Sequence, residues 1–175
     1  MEREKFKILD NVRFIMKKGH IFTLMLLAFS LFANAQQFRL KAPEFVIGNE
    51  SARQMSDMLP KMKQQLRQDL SKRADIALVD EEAQGGNCKC ELKDIQVLKN
   101  VFTGSEYKAW HIRVIVSVQV QAELNGNANV REFSITRRIR STSGEPQLDA
   151  ALFNEIAKDI VSKCYVELVD IVECN

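Results

Sequence analysis

Between Ile112 and Leu124 the chain alternates with a period of two. Ile112, Val114, Val116, Val118, Val120, Ala122 and Leu124 are separated by Arg113, Ser117, Gln119, Gln121 and Glu123. Successive strand side chains point to opposite faces, so this run predicts a long strand with one buried and one wet face. Asn125-Gly126 is a favoured two-residue hairpin turn. Phe133, Ile135 and Ile139 then alternate with charged and hydroxyl residues along a return strand. Upstream, Phe45-Val46-Ile47 reads as a first strand closed by Gly48-Asn49, and Ile76-Ala77-Leu78-Val79 as a second. The stretch from Asp80 to Asn87 reads as a loop. Cys90 to Leu98 reads as a third strand, with Ile95 and Val97 on one face and a slip in the alternation near Asp94; Asn100 to Glu106 is expected to supply the turn.

Two segments carry the helical period. Met55, Met58, Leu59, Met62, Leu66 and Leu70 recur every three to four residues, with Lys61, Lys63, Gln64, Arg67 and Gln68 turned outward. Pro60 fits either the first turn of a helix capped by Ser56 or Asp57, or a kink in a helix starting near Ser51. After the break at Ser141 to Pro146, Leu148, Leu152, Ile156, Ile160, Cys164 and Leu168 predict a second helix, which the segment Val166 to Cys174 extends or follows as an edge strand. Gln36 to Lys41 is expected to be a polar leader. The order of elements predicts an α+β fold: one mixed β-sheet with two helices packed on one face.

The N-terminal fifth is built differently. Lys17-Lys18, an apolar run from Ile21 to Phe32 and the small residues Ala33-Asn34-Ala35 ahead of Gln36 form a cleavable secretory signal peptide over residues 16–35. The run is about a dozen residues, whereas a helix needs roughly 20 to cross a bilayer, so no stable membrane span is expected. Residues 1–15 carry mixed charge and read as an extension ahead of a true start at Met16. Residues 36–175 then form a single domain, and the localisation expected is periplasmic or secreted. Gln36 is not a cysteine, so a lipid anchor is not supported on this reading.

Export changes the reading of charge and of cysteine. Six of the 25 basic and three of the 23 acidic residues lie in 1–35, which leaves 19 and 20 and a net charge of −1. Nucleic acid is not an expected partner. Cys88, Cys90, Cys164 and Cys174 all lie beyond the signal, where an oxidising compartment favours disulfides. A bond between Cys88 and Cys90 would close a strained ring, so each is expected to link to a C-terminal partner. A four-thiolate zinc site would be the other use of four cysteines, but C-x2-C knuckles are absent, and no metal site is expected.

No catalytic residues or cofactor are expected. His111 is the one histidine beyond residue 35, and no nucleophile elbow, phosphate-binding glycine loop or His-Glu-x-x-His helix occurs. Asp80, Glu81 and Glu82 lack the spaced ligands of a calcium loop. Glu155, Asp159 and Glu167 read as the solvated face of the second helix. Arg131, Arg137, Arg138 and Arg140 make the return strand strongly basic, and they are the candidate partner surface, suited to an acidic protein or an anionic envelope polymer. The same charges would also keep an edge strand from pairing with another copy.

Phe45 to Ser51 before the first helix, Arg73 to Asp80 after it, Cys90 to Ile95 at the third strand and Gln147 to Ala157 after the hairpin complete the pattern. In this order of elements the chain resembles the envelope accessory domains of the curli secretion lipoprotein, the penicillin-binding-protein activator and the N-terminal domain of the Tol-Pal periplasmic protein. The resemblance implies a non-enzymatic, soluble periplasmic accessory or adaptor protein acting on an envelope protein partner. Two alternatives remain: a component of an outer-membrane secretion or pore assembly, and a small-molecule-binding or hydrolytic periplasmic domain. Against a membrane hairpin, Arg137 shares a face with Phe133 and Ile135, and charge on a lipid-facing strand costs about 2 to 4 kcal/mol at midplane.

Overall fold

The computed structural model describes residues 37–80, 83–105 and 107–174. The expected signal peptide, the expected extension before it and the expected Ala35-Gln36 cleavage junction lie outside these residues, as do Glu81 and Glu82. In order, the elements are β1 (Phe38–Lys41), β2 (Glu44–Ile47), a 3₁₀ helix (Glu50–Met58), α1 (Leu59–Leu70), β3 (Ile76–Val79), β4 (Cys88–Thr103), β5 (Lys108–Leu124), β6 (Asn127–Ser141) and α2 (Ala150–Glu173). Strands β2-β4-β5-β6 form a mixed four-stranded sheet in which only β2 and β4 run parallel; β1 and β3 form a separate parallel pair. The class is α+β, as the pattern predicts.

The period-two run of β5 explains the core. All seven of its alternate apolar residues, Ile112 to Leu124, are at most 2% exposed. Cys88, Cys90, Leu92 and Ile95 of β4 extend that face, and Met62, Leu66 and Leu70 of α1 with Ile156, Ile160, Cys164 and Leu168 of α2 cover it. Asp149 starts α2 by accepting a hydrogen bond from the Leu152 N–H at 2.9 Å. The helix is about 36 Å long at 1.5 Å per residue, long enough to cross the sheet in one pass.

Several local expectations are corrected. The 3₁₀ helix from Glu50 to Met58 absorbs the first part of the expected helix, so Pro60 falls in the opening turn of α1, where its missing N–H costs nothing. Residues Phe38–Lys41, expected as a leader, are a strand with Leu40 fully buried. Asn100 to Thr103, expected as turn, continue β4, and the reversal closes instead where the Gly104 N–H donates to the Tyr107 carbonyl at 2.8 Å. The C-terminal segment continues α2 to Glu173.

The slip near Asp94 is a β-bulge: register shifts between Leu92 and Asp94. The 3₁₀ helix fills it. Ser51 accepts from the Ile95 N–H at 3.1 Å and donates to the Asp94 carboxylate at 2.5 Å, so one hydroxyl satisfies both groups that the bulge displaces. Gly48 closes the approach, its N–H donating to the Leu92 carbonyl at 2.8 Å; a Cβ there would lie 3.1 Å from that oxygen and 2.5 Å from the Glu91 carboxylate.

Candidate interaction surface

The two faces of the four-stranded sheet have different fates. The inner face lies under the helices, while the outer face carries exposed or half-buried residues only. The Asn125-Gly126 turn has φ of 51° and 81°, the left-handed pair of a type I′ hairpin, and it fixes which β5 residue stands opposite which β6 residue. Arg113 pairs with Arg138 and His111 with Arg140, while Leu98 and Asn100 of β4 stand beside Arg113 and His111.

That register splits the candidate arginines. Arg138 and Arg140 lie on the outer face with Arg113, and among the described residues none of the three has an ion-pair partner. Arg131 is exposed and stands opposite Val120 on the inner side. Arg137 is a correction: it stands opposite Val114 on the inner face and forms an ion pair with Asp159 of α2. Its Nε is shielded from solvent without a hydrogen-bond partner. Arg137 is thus committed to joining β6 to the helix, and Asp159 is its counter-ion rather than a solvated helix residue.

The outer face is polar along its length in a graded way. At one end Glu91 accepts from Lys89 at 3.1 Å and lies 3.6 Å from Lys93, and Glu132 accepts from Gln119 at 3.0 Å. The lysines hold the Glu91 carboxyl below its ordinary range. At the other end stand the unpaired Arg113, Arg138 and Arg140 with His111. Like charges directly opposite in a sheet destabilise by about 0.2 to 1 kcal/mol per pair. The Arg113–Arg138 pair is therefore kept at a cost that no ion pair among the described residues offsets.

Beyond that basic end β6 stops, its Ser141 opposite Trp110. The β4–β5 hairpin continues past it as two strands. Val101, Phe102 and Tyr107 there are 43%, 53% and 64% exposed, and Leu98 at its base is 45% exposed. The Phe102 ring lies 4.8 Å from that of His111, and the Lys108 ammonium sits 4.7 Å from the centre of the Trp110 ring. Lys99 is neutralised by Glu145 at 2.5 Å.

All four cysteines are free thiols. Cys88 donates a hydrogen bond to Cys90, and Cys90 to Cys164 of α2. Those bonds, with burial, push the Cys88 and Cys90 thiols well above their ordinary range. Cys174 is exposed at the end of α2, about 15 Å along the helix from Cys164 at 1.5 Å per residue. A polar cleft of about 470 Å³ opens between β1, α1 and β5, with Lys41, Lys63, Lys89, Glu44 and Glu123 on its walls and Cys88 at one side. A thiol so strongly held in its protonated form is a poor nucleophile. Among the described residues no group of three His, Cys, Asp or Glu is placed to hold a metal ion, and no helix is long and apolar enough to cross a membrane.

The class is thus a helix-covered mixed sheet with one open face. No protein-family model and no curated protein matches the chain in sequence. Among solved structures it is similar to a neuraminyllactose-binding hemagglutinin homolog of Helicobacter pylori, at 10% identity and a TM-score of 0.45, covering 80% of this chain and 85% of that one. A Xanthomonas campestris protein of the DUF330 family matches at 11% identity and 0.41, covering 76% and 81%. A minor lipoprotein of Acinetobacter baumannii matches at 10% and 0.35, covering 74% and 93%. One expectation is corrected here. A lipid anchor was held unsupported because Gln36 follows Ala35, but the Acinetobacter structure and one from Neisseria meningitidis are lipoproteins, which conflicts with that exclusion.

Proposed function

We propose that this chain is a non-catalytic accessory protein of the bacterial cell envelope, exported to the periplasmic side, which works by holding a protein partner along the edge of its sheet. The observation that carries this is β6: an edge strand of 15 residues with no neighbouring strand on its outer side among the described residues. An open edge of that length presents a row of backbone donors and acceptors, and extended segments of other proteins bind such edges by adding a strand. Charged side chains at Arg138 and Arg140 guard the strand against indiscriminate pairing. The lipoproteins among the similar structures are consistent with an envelope setting.

A pore-forming hairpin fits less well, because the inner side of β5 and β6 is occupied by α2 and would have to be stripped to meet lipid. The cleft beside Cys88 supports a hydrolytic reading poorly, since its one thiol is held protonated.

Site-specific cross-linking tests the edge. Thr136 of β6 and Gln96 of β4 lie in one row across the outer face, both aligned with Ile115 of β5. A photoreactive residue at position 136 should trap an envelope protein in cells, and one at position 96 should trap it far less. Equal trapping at both, or none at 136, refutes strand addition at β6.

A further inference from the structure

We infer that the projecting end of the β4–β5 hairpin, with the arginine cluster behind it, is a docking surface for an anionic lipid bilayer. The surface has two tiers. Phe102, Val101 and Tyr107 form an exposed apolar and aromatic tip, and Tyr107 is fixed there by the turn, its ring so close to Gly104 that a Cβ at that glycine would lie 2.7 Å away. Behind the tip, Arg140 stands opposite His111, and Arg138 opposite Arg113.

The spacing suits an interface. Along β5, Ala109, the partner of Phe102, is two residues from His111 and four from Arg113. At about 3.3 Å per residue the first arginine row lies about 7 Å behind the tip and the second about 13 Å behind it. Apolar groups of interfacial proteins bury about 5 to 10 Å into the headgroup and acyl boundary. Seating the tip at that depth places Arg140 level with lipid phosphates and Arg113 and Arg138 just above them. Aromatic rings and cationic stems are the side chains that tolerate this boundary.

Charge selects this occupant over a neutral apolar one. Arg113, Arg138 and Arg140 have no counter-ion among the described residues, and the Arg113–Arg138 opposition is relieved by phosphate between them. Lys108 adds a fourth charge at the tip, over Trp110. Glu106 is the sole acidic residue in the sequence between Lys99 and Arg113. An acidic protein would satisfy the arginines but would leave Leu98, Phe102 and Tyr107 without a reason to be grouped with them.

The test uses vesicles of zwitterionic phospholipid with and without 30% anionic phospholipid in about 0.1 M salt, and reports on Trp110, the one tryptophan in the chain. The full exported protein should partition at least tenfold more strongly to the anionic vesicles, with Trp110 emission shifting to the blue. A basic residue near a charged leaflet contributes about fivefold, so Arg138→Gln and Arg140→Gln should each weaken partition by about that factor and Arg138→Lys should restore most of it. Phe102→Ser with Tyr107→Ser should weaken it severalfold at unchanged charge, and Glu106→Gln should strengthen it. Equal binding to both kinds of vesicle overturns the proposal, as an acyl anchor alone would give that result. Charge dependence without any effect of Phe102 and Tyr107, matched by binding to a soluble acidic peptide, overturns it in favour of a protein ligand. Cross-linking at Thr136 reads the β6 edge separately, so either reading can fail without the other.

Discussion

The two faces of the β2-β4-β5-β6 sheet are made from the same strands, yet they are held to opposite rules. On the inner face the alternate apolar β5 side chains from Ile112 to Leu124 are buried, and Arg137, opposite Val114 and beside α2, is met by Asp159, while Arg131 nearer the hairpin turn stays exposed to water. On the outer face Glu91 is paired with lysines at one end, while at the other Arg113 and Arg138 oppose one another. Burial makes an unpaired charge expensive, so under the helices the inner face holds a charge in a pair. Water relaxes that rule outside, and the outer face is free to be arranged for something other than stability.

The sharpest way to break the comparison is to place one charge on each side of the same strand. Val116→Asp puts an unpaired carboxylate in the core and should cost more than about 4 kcal/mol, enough to prevent folding. On the outer side of the same strand Gln121→Asp stands opposite Lys89 and Val130 and should change stability by no more than about 0.5 kcal/mol. Circular dichroism on heating distinguishes them, and comparable losses from both would mean that the faces are not as different as their burial.

The inner face should also be the one that can be locked. In an oxidising compartment Cys90 and Cys164 should join β4 to α2, each thiol giving up its hydrogen to a disulfide-donating oxidant. Closing a loop of roughly 75 residues is worth at most about 4 to 5 kcal/mol in the chain-entropy model, since native strain subtracts from it. Peptide mapping without reductant should recover Cys90 joined to Cys164. Recovery of Cys174 in a link to Cys88 or Cys90 would show that α2 does not sit on β4 as described.

A smaller effect is expected where the faces meet at the bulge. Ser51→Ala removes the acceptor of the Ile95 N–H and the donor to Asp94, and should cost about 1 to 2 kcal/mol in a urea titration, in the range for stranding a partly buried donor. Ser51→Thr, which keeps the hydroxyl, should recover part of it.

Acid should produce the smallest and most distributed loss. Asp94 is held below its ordinary 3.8 by the Ser51 hydroxyl and then Gln96, Asp75 by Arg73, and Asp69 by Lys72 and then Gln65. Glu91 is held below 4.5 by Lys89. A carboxyl whose folded pKa is depressed adds stability that is complete above its unfolded value and is lost as pH falls through the folded one. Stability should therefore be level above about pH 5 and decline below about pH 4, gently, because these groups are largely solvated. A steep loss already above pH 5 would point to a different titrating group.

Much of the fold is legible in the residues because periodicity is a local property. The seven alternating apolar positions of β5, the four-residue spacing of α2 and the Asn125-Gly126 turn each state their own geometry. The slip at Asp94 is visible as a broken alternation. Even the Arg113–Arg138 opposition is implied by the chain, since a two-residue hairpin fixes register, although Arg113 by itself reads only as the wet side of an amphipathic strand. Phe38–Lys41 could not be read as a strand: one inward residue, Leu40, carries no period, and its pairing with Ile76–Val79 is supplied from more than thirty residues away.

The sequence by itself determined the strand and helix periods, the hairpin and the α+β class, because those depend on side chains a few residues apart. The alternation already put Arg137 on the side of Phe133 and Ile135, and tertiary structure decided that Asp159 of α2 would meet it there. It also brought Cys90 to Cys164 and left Cys174 aside, and it ended β6 short of the β4–β5 tip. Each of these outcomes depends on which distant element arrives at a given face, and long-range packing is a contest among burial, pairing and chain connectivity that no local pattern encodes.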